Sequence, residues 1–305
     1  MDDFDKFIED TVFPELNPLE EIRKNKLTTF WIGITVISVI AFIIIVISLN
    51  VFAIFFVLIL SLISISFFYR SIFKSYDAEF SSKAIGNIVK FINKNLEYSR
   101  NSHITEAEYK SSKLFLTGYD GFSGRDLVYG KIDKTAIKFS YLYTYYEEED
   151  EDSNGNKTTH TCTIFAGLFL IADFNKIFSG EVYVFPHGFR LFSPRKGTKK
   201  ISLEDPNFND LFDVYGSDPV VSMYVISTSL AARLLDFKKR FNSKANFSLI
   251  NSTLCLAIND YKPFKVPVFT TVLNKDIYYN YLNQLKFATG IVDDLNLNTR
   301  IWTVS

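Results

Sequence analysis

The sequence predicts an α+β membrane protein: a two-helix transmembrane hairpin followed by a mainly antiparallel β-sheet domain with packed helices. Three observations carry this. Residues 28–69 hold no charge, no proline and one glycine, Gly33, and Leu, Ile, Val or Phe fills twenty-eight of those forty-two positions. Beyond Lys113 the apolar period falls to two, in segments joined by short turns. The last third returns to helical spacing in two longer stretches, around 228–240 and 277–292.

A helix rises about 1.5 Å per residue, so the apolar run would span roughly 63 Å, about twice a hydrocarbon core. It must fold back on itself. Asn50 divides it into spans 29–49 and 51–69, each long enough to cross once, with the turn at Asn50 near the far headgroups. Both spans are apolar all round, whereas a surface helix of a soluble protein keeps a polar face. On insertion scales each Leu, Ile, Val or Phe contributes about −0.3 to −0.6 kcal/mol, on the order of −10 kcal/mol in total with no charge opposing it. Thr35, Ser38, Ser48, Ser61, Ser64 and Ser66 read as helix-packing residues, not as a transport path. The run is too long, and its leader too acidic, for a cleaved signal peptide.

Arg23, Lys24 and Lys26 precede the first span, Arg70 and Lys74 follow the second, and the turn is uncharged. The positive-inside rule then places both termini in the cytoplasm, with these cations against the membrane surface of the lipid bilayer. Phe30, Trp31, Phe67, Phe68 and Tyr69 form an aromatic belt at that face. High Phe and Ile with little Trp suggests an AT-rich bacterial source, hence a bacterial inner (plasma) membrane. A net charge of −1 argues against bulk nucleic-acid binding. Two cysteines, Cys162 and Cys255, make no disulfide framework and suit a reducing compartment.

Taken in order, residues 1–27 read as two short amphipathic helices. The first carries Phe4, Phe7, Ile8 and Val12 up to Pro14; the second has Asn17 as N-cap, Pro18 at its first position and Glu20 at its third. Residues 70–100 form an amphipathic connecting helix with Tyr76, Phe80, Ala84, Ile85, Ile88, Phe91 and Ile92 on one face. That helix suits either an interfacial coupling element or the first core helix of the soluble domain. Residues 101–305 form the cytoplasmic α+β domain. Its strands are 114–116, 127–132, 136–146, 158–172, 180–185 and 189–192, with Ile137, Phe139, Tyr141, Tyr143 and Tyr145 on one face and Lys138, Ser140 and Thr144 on the other. A short helix at 206–212, a helix capped by Ser227 or Thr228 and carrying Leu230, Leu234, Leu235 and Phe237, a hairpin turning at Asn251-Ser252, and a helix at 277–292 complete it.

With these segments laid out, the chain resembles a bacterial membrane-protein family known as domain of unknown function 3137 (DUF3137). The likeness rests on Val128-Tyr-Gly-Lys-Ile-Asp-Lys-Thr135, Ile164-Phe-Ala-Gly-Leu-Phe-Leu-Ile-Ala-Asp-Phe-Asn-Lys176, Leu203-Glu-Asp-Pro-Asn-Phe208, Phe212-Asp-Val-Tyr-Gly-Ser-Asp218 and Asp294-Leu-Asn-Leu-Asn-Thr-Arg-Ile-Trp302. Pro18-Leu-Glu-Glu-Ile-Arg-Lys24 and the hairpin fit as well. The resemblance implies a two-span membrane protein without an assigned activity, and a protein partner related to the LemA-like membrane proteins.

Candidate sites gather at turns, where binding residues concentrate. Asp173, Asn175, Lys176, Glu204, Asp205, Asp218 and Arg300 combine acids, bases and an amide, and stand as the ligand- or partner-binding set. The basic loop 194–200, with Arg195 and Lys196, reads as a solvated loop or a contact to anionic headgroups. Asp150, Asp152 and Asn154 copy the first half of a calcium loop, but position twelve is Thr161 and strands flank it, so a solvated hairpin tip explains them. His160 and Cys162 lack a third orienting group. Gly118-x-x-Gly121-x-x-Gly124 precedes no helix and so makes no phosphate cradle. No motif calls for a metal or cofactor. The leading expectation is a non-enzymatic binding or scaffolding module at the membrane. The alternatives are a membrane-bound hydrolase using Asp173 and Asp218, and a channel or transporter component built as a homo-oligomer.

Overall fold

The structure, a computed structural model, describes residues 2–48, 51–151, 157–174, 176–188, 196–241 and 245–298. The chain forms two compact units, one of residues 1–88 with 265–282, the other of 89–264 with 283–305.

In the first unit, α1 (Asp2–Phe7), a π turn (Ile8–Val12) and α2 (Phe13–Ser48) follow without interruption. The two short helices expected before the hairpin are therefore one helical run, which passes through Pro14 and Pro18. Each proline removes a backbone donor and crowds the preceding turn, and the wider π turn stands directly before Pro14. Burial compensates: Phe4, Ile8, Val12, Leu16 and Leu19 form a buried stripe three to four residues apart. The expected cap at Asn17 is absent, and Glu20 has another partner, described below.

Helix α3 (Val51–Ile92) also runs unbroken through the boundary expected at residue 70. Phe73, Tyr76, Phe80, Ala84, Ile85 and Ile88 are its buried stripe, whereas Phe91 is exposed. Two helices, Asp3–Ser48 and Ile54–Ile92, are long and apolar enough to cross a membrane. Most of their large apolar side chains between Trp31 and Phe67 face outward. Gly33 permits a close approach, since a Cβ there would lie 2.0 Å from the Phe68 ring. Asn50, the expected turn, lies outside the described residues.

The second unit is built on β1 (Leu96–Ser99), β2 (Gly121–Ile132), β3 (Thr135–Glu151), β4 (Lys157–Asp173), β5 (Glu181–Pro186), β6 (Lys199–Ile201), β7 (Phe212–Gly216), β8 (Ala245–Ile250) and β9 (Thr253–Asn259). Among the described residues these form one sheet in the order β1-β2-β3-β4-β9-β8-β5-β7-β6, with antiparallel pairing throughout. Helices α4 (Glu106–Ser111), α5 (Pro206–Leu211), α6 (Pro219–Val225) and α7 (Thr228–Phe241) intervene, and the last helix, α8 (Lys275–Asp294), has residues 275–282 in the first unit and the rest in the second.

Both sheet faces are covered. On one, Phe139, Leu168, Leu170, Leu254, Leu256, Phe247 and Val184 are buried, and Phe237 of α7 packs between Phe247 and Phe287. On the other, Leu142, Phe165, Phe169, Tyr183 and Cys255 share a cluster with Ile104, Tyr109 and Leu114. This second face carries the polar residues of the alternating pattern. Ser140 and Thr144 are buried there, because α4 and the residues leading into it cover them: Ser140 Oγ accepts from the Ile104 N–H at 3.1 Å, and Thr144 Oγ1 lies 3.1 Å from the Tyr109 hydroxyl.

Two further differences have local causes. Residues 114–116 are not a strand; Leu114 is buried in that cluster instead. Gly121 and Gly124, expected in a loop, lie in β2, where Gly121 passes beneath Tyr145 with no room for a Cβ. The expected strand 189–192 lies outside the described residues. At Asn251 and Ser252 both φ angles are positive, 46° and 65°, the geometry that a tight β8–β9 turn requires.

Candidate functional site

The densest polar construction in the first unit sits just before the apolar run. Arg23 donates from Nη2 and Nε to the Glu20 carboxylate at 2.6 and 2.9 Å, and from Nη1 to the Val268 carbonyl at 2.9 Å. The Val272 N–H donates to Glu20 at 3.1 Å, and the Tyr76 hydroxyl to the Pro267 carbonyl at 2.7 Å. Tyr278 donates its hydroxyl to the Val272 carbonyl. Residues 265–274 thus form a strap held against α2 and α3 at three successive points. Hydrogen bonds from Arg23, opposed by burial and joined by the Val272 N–H, hold the Glu20 carboxyl below its ordinary range.

This arrangement changes the reading of Arg23, expected at the lipid surface: its side chain is 7% exposed and all its donor edges are engaged. Lys26 is half-buried and gives Nζ to the Ile72 carbonyl at 2.7 Å. Lys24, Arg70 and Lys74 are exposed. Next to them lies the aromatic cluster. Phe30, buried, has Trp31, Phe68, Tyr69, Phe73 and Phe269 around it with ring centroids between 5.5 and 6.4 Å. Phe73, one turn beyond Tyr69, and Phe269, from the strap, are the members that the expected belt does not include.

In the second unit the turn residues find separate roles. Asp205 caps α5 by accepting the Asn207 N–H at 2.9 Å. Asp218 caps α6 by accepting from Val220 and Val221 at 2.7 and 3.1 Å. Lys176 sits at the opposite end of α6, donating to the Tyr224 and Val225 carbonyls at 2.6 and 3.3 Å, with its ammonium 4.9 Å from the Tyr224 ring centre. Two of the candidates therefore complement the two ends of one helix dipole. Burial lowers the Lys176 pKa. Asp173, at the end of β4, accepts the Ala136 N–H at 3.3 Å, and Glu204 is exposed.

Asn175, Arg300, Arg195, Asp152 and Asn154 lie outside the described residues; Lys196 and Asp150 are exposed. Among the described residues, no three His, Cys, Asp or Glu side chains are placed to hold a metal. His160 and Cys162 lie on the two-stranded β3–β4 arm, opposite Glu148 and Tyr146. His160 Nε2 is 3.7 Å from Asp150, and Cys162 Sγ is 3.7 Å from Glu148. Cys255 is buried in the core, and burial pushes its thiol up to about 12.

One buried charge escaped the sequence reading. Asp126, 3% exposed and at φ 64°, stands at a bulge of β2 between Arg125 and Val128. Its Oδ1 accepts from Arg100 Nη1 at 2.5 Å and the Tyr98 hydroxyl at 2.6 Å, and Arg100 also reaches the Phe264 carbonyl at 3.4 Å. Burial, reinforced by Asp126, pushes the Tyr98 hydroxyl pKa up. Asp126 and Tyr261 border an enclosed space with Phe139, Tyr141, Leu168, Pro263 and Phe264 that has no room for a water. The cluster is built to fix chain segments together. The only traces in the sequence are a lone Asp opening an apolar strand and an Arg 26 positions earlier.

The chain matches, over residues 163–297, the family described as "Protein of unknown function (DUF3137)", which is the family its motifs resemble. A solved structure described as the mycobacterial trehalose monomycolate transport factor A, TtfA, is similar at 11% identity. That similarity covers 73% of this chain and 98% of the other, with a TM-score of 0.37. No curated protein matches the sequence.

Proposed function

We propose that this DUF3137-like chain is a membrane-anchored binding or scaffolding module, with the α2–α3 hairpin in a bacterial inner membrane, both termini cytoplasmic, and the sheet unit holding a protein or ligand at the membrane. The observation that carries it is the pair of helices long and apolar enough to cross, with their apolar side chains turned outward. The roles of the turn residues support binding over catalysis. Asp205 and Asp218 are helix caps and Lys176 answers the carbonyls of α6, which leaves these groups structurally committed. Ile177, Val220, Met223 and Tyr224 are exposed apolar side chains on and beside α6, and they make this helix the face on which a protein partner would rest.

Co-purification and proximity labelling in native membranes test the proposal. The expected result is a membrane-resident partner that the wild-type chain captures and a Val220→Ser, Met223→Ser variant loses. Extraction of the chain by alkaline carbonate would refute the anchor, and a cytoplasm-only reporter silent on a stable fusion at Ser305 would refute the orientation. LemA-like proteins are one candidate partner, by resemblance alone.

A further inference from the structure

We infer that the strap of residues 265–274 is a membrane-interface element, and that Phe269 is the side chain it lowers into the headgroup region of the bilayer around the hairpin. This rests on the membrane reading of α2 and α3, and it adds a segment that hydropathy assigns to an ordinary loop.

Three backbone groups of the strap are fixed by side chains of the helices: the Pro267 carbonyl by Tyr76, the Val268 carbonyl by Arg23 and the Val272 N–H by Glu20. Phe269 lies between these points and yet remains 59% exposed, as Leu273 does at 39%. Its ring is not isolated. It stacks on Tyr69 with centroids 6.3 Å apart and planes 16° apart, and lies 6.4 Å from the Phe30 ring. Phe30 stands in the first turn of the first apolar span, and Tyr69 ends the second. An exposed aromatic ring that continues the ring cluster at the ends of two apolar helices occupies the boundary between water and hydrocarbon.

The occupant of this surface is lipid, because the surface continues directly into the outward apolar faces of α2 and α3. Exposed Trp31 and Phe67 lie on the same border, and exposed Lys24, Arg70 and Lys74 supply the cations that suit anionic headgroups. The clasp also holds the strap backbone in place beforehand, so little ordering entropy is left to lose when Phe269 meets the bilayer.

The test is depth-resolved fluorescence on the full chain in vesicles of phosphatidylglycerol and phosphatidylethanolamine. Phe269→Trp is made in a background with Trp31→Phe and Trp302→Phe, so that one indole reports. The expected result is blue-shifted emission, quenching by lipids brominated near the carbonyls, and protection from aqueous acrylamide. Red-shifted emission that acrylamide quenches and brominated lipid does not would overturn the inference. A chain retaining only Trp31 is the companion measurement. If it too escapes the brominated lipid, the membrane reading itself has failed; if it is quenched while position 269 is not, only the strap inference falls. Photocrosslinking of the unsubstituted chain by a lipid carrying a diazirine near its glycerol provides a second readout. Label on the peptide containing Phe269 is expected, and label confined to α2 and α3 would count against the strap.

Discussion

Replacing Arg23 with Ala should release the strap while leaving the sheet unit intact. The substitution deletes two charge-assisted bonds to Glu20 and the bond to the Val268 carbonyl, and it leaves the Glu20 carboxylate, 10% exposed, with the Val272 N–H. Removing one partner of a buried pair typically costs about 3–5 kcal/mol, because the other charge stays buried and unpaired. At about 1.4 kcal/mol per factor of ten, strap opening should become roughly a hundred- to a few thousandfold more favourable. Hydrogen exchange measured by mass spectrometry in nanodiscs reads this directly, as faster exchange in peptides covering 265–274 with β4 and β9 unchanged. Glu20→Leu with Arg23→Met should restore most of the protection, since apolar replacement of both partners is often neutral. Lys24→Ala is the control: its ammonium is 3.9 Å from Glu20 and 66% exposed, so about 1 kcal/mol or less is at stake. Wild-type exchange of the strap in Arg23→Ala, or an equal effect from Lys24→Ala, would refute the reasoning. The pH dependence follows from the same carboxyl. Because Glu20 titrates below its ordinary value when folded, its contribution is complete above the ordinary carboxylate range and is lost as pH falls through the folded value. Strap protection should therefore be flat near neutral pH and decline only in acid.

Asp126→Ala should lower stability by about 3–5 kcal/mol, since it strands the Arg100 guanidinium. Tyr98→Phe removes one bond to a charged group and should cost about 1.5–3 kcal/mol; the reverse order in thermal unfolding would undercut the pairing. At Gly33, Ala places a Cβ against Phe68 and should destabilise the hairpin by about 1–3 kcal/mol. Phe68→Leu in the same chain should recover much of that, and additive losses in detergent unfolding would show that the two do not meet. Asp218→Ala should cost about 0.5–2 kcal/mol through the lost cap of α6. The double variant Asp173→Ala, Asp218→Ala should still capture its partner, and loss of capture with an intact fold would favour carboxylate chemistry at these turns.

Much of the architecture was legible where the signal is local. The two long apolar helices follow from hydropathy, the β8–β9 turn from Asn251-Ser252, and α7 from its apolar stripe and basic end. Other local signals mark helix starts. Asp205-Pro206 and Asp218-Pro219 each pair an N-cap with a proline at the first helical position, and Thr105-Glu-Ala-Glu108 is a capping box. Read that way, two of the candidate carboxylates would have been recognised as caps.

What the sequence could determine alone was the chemistry of stretches: which were apolar enough for a membrane, which alternated, and where the chain could turn. Only the tertiary structure decided that Glu20 and Arg23 are buried beneath a strap some 245 positions away, that Ser140 and Thr144 face inward under α4, and that Phe269 joins the rings of Phe30 and Tyr69. Hydropathy and turn preference belong to a residue and its neighbours in the chain. Whether a charge is desolvated or a ring reaches lipid depends on which distant segment comes to cover it, and only folding brings that segment into place.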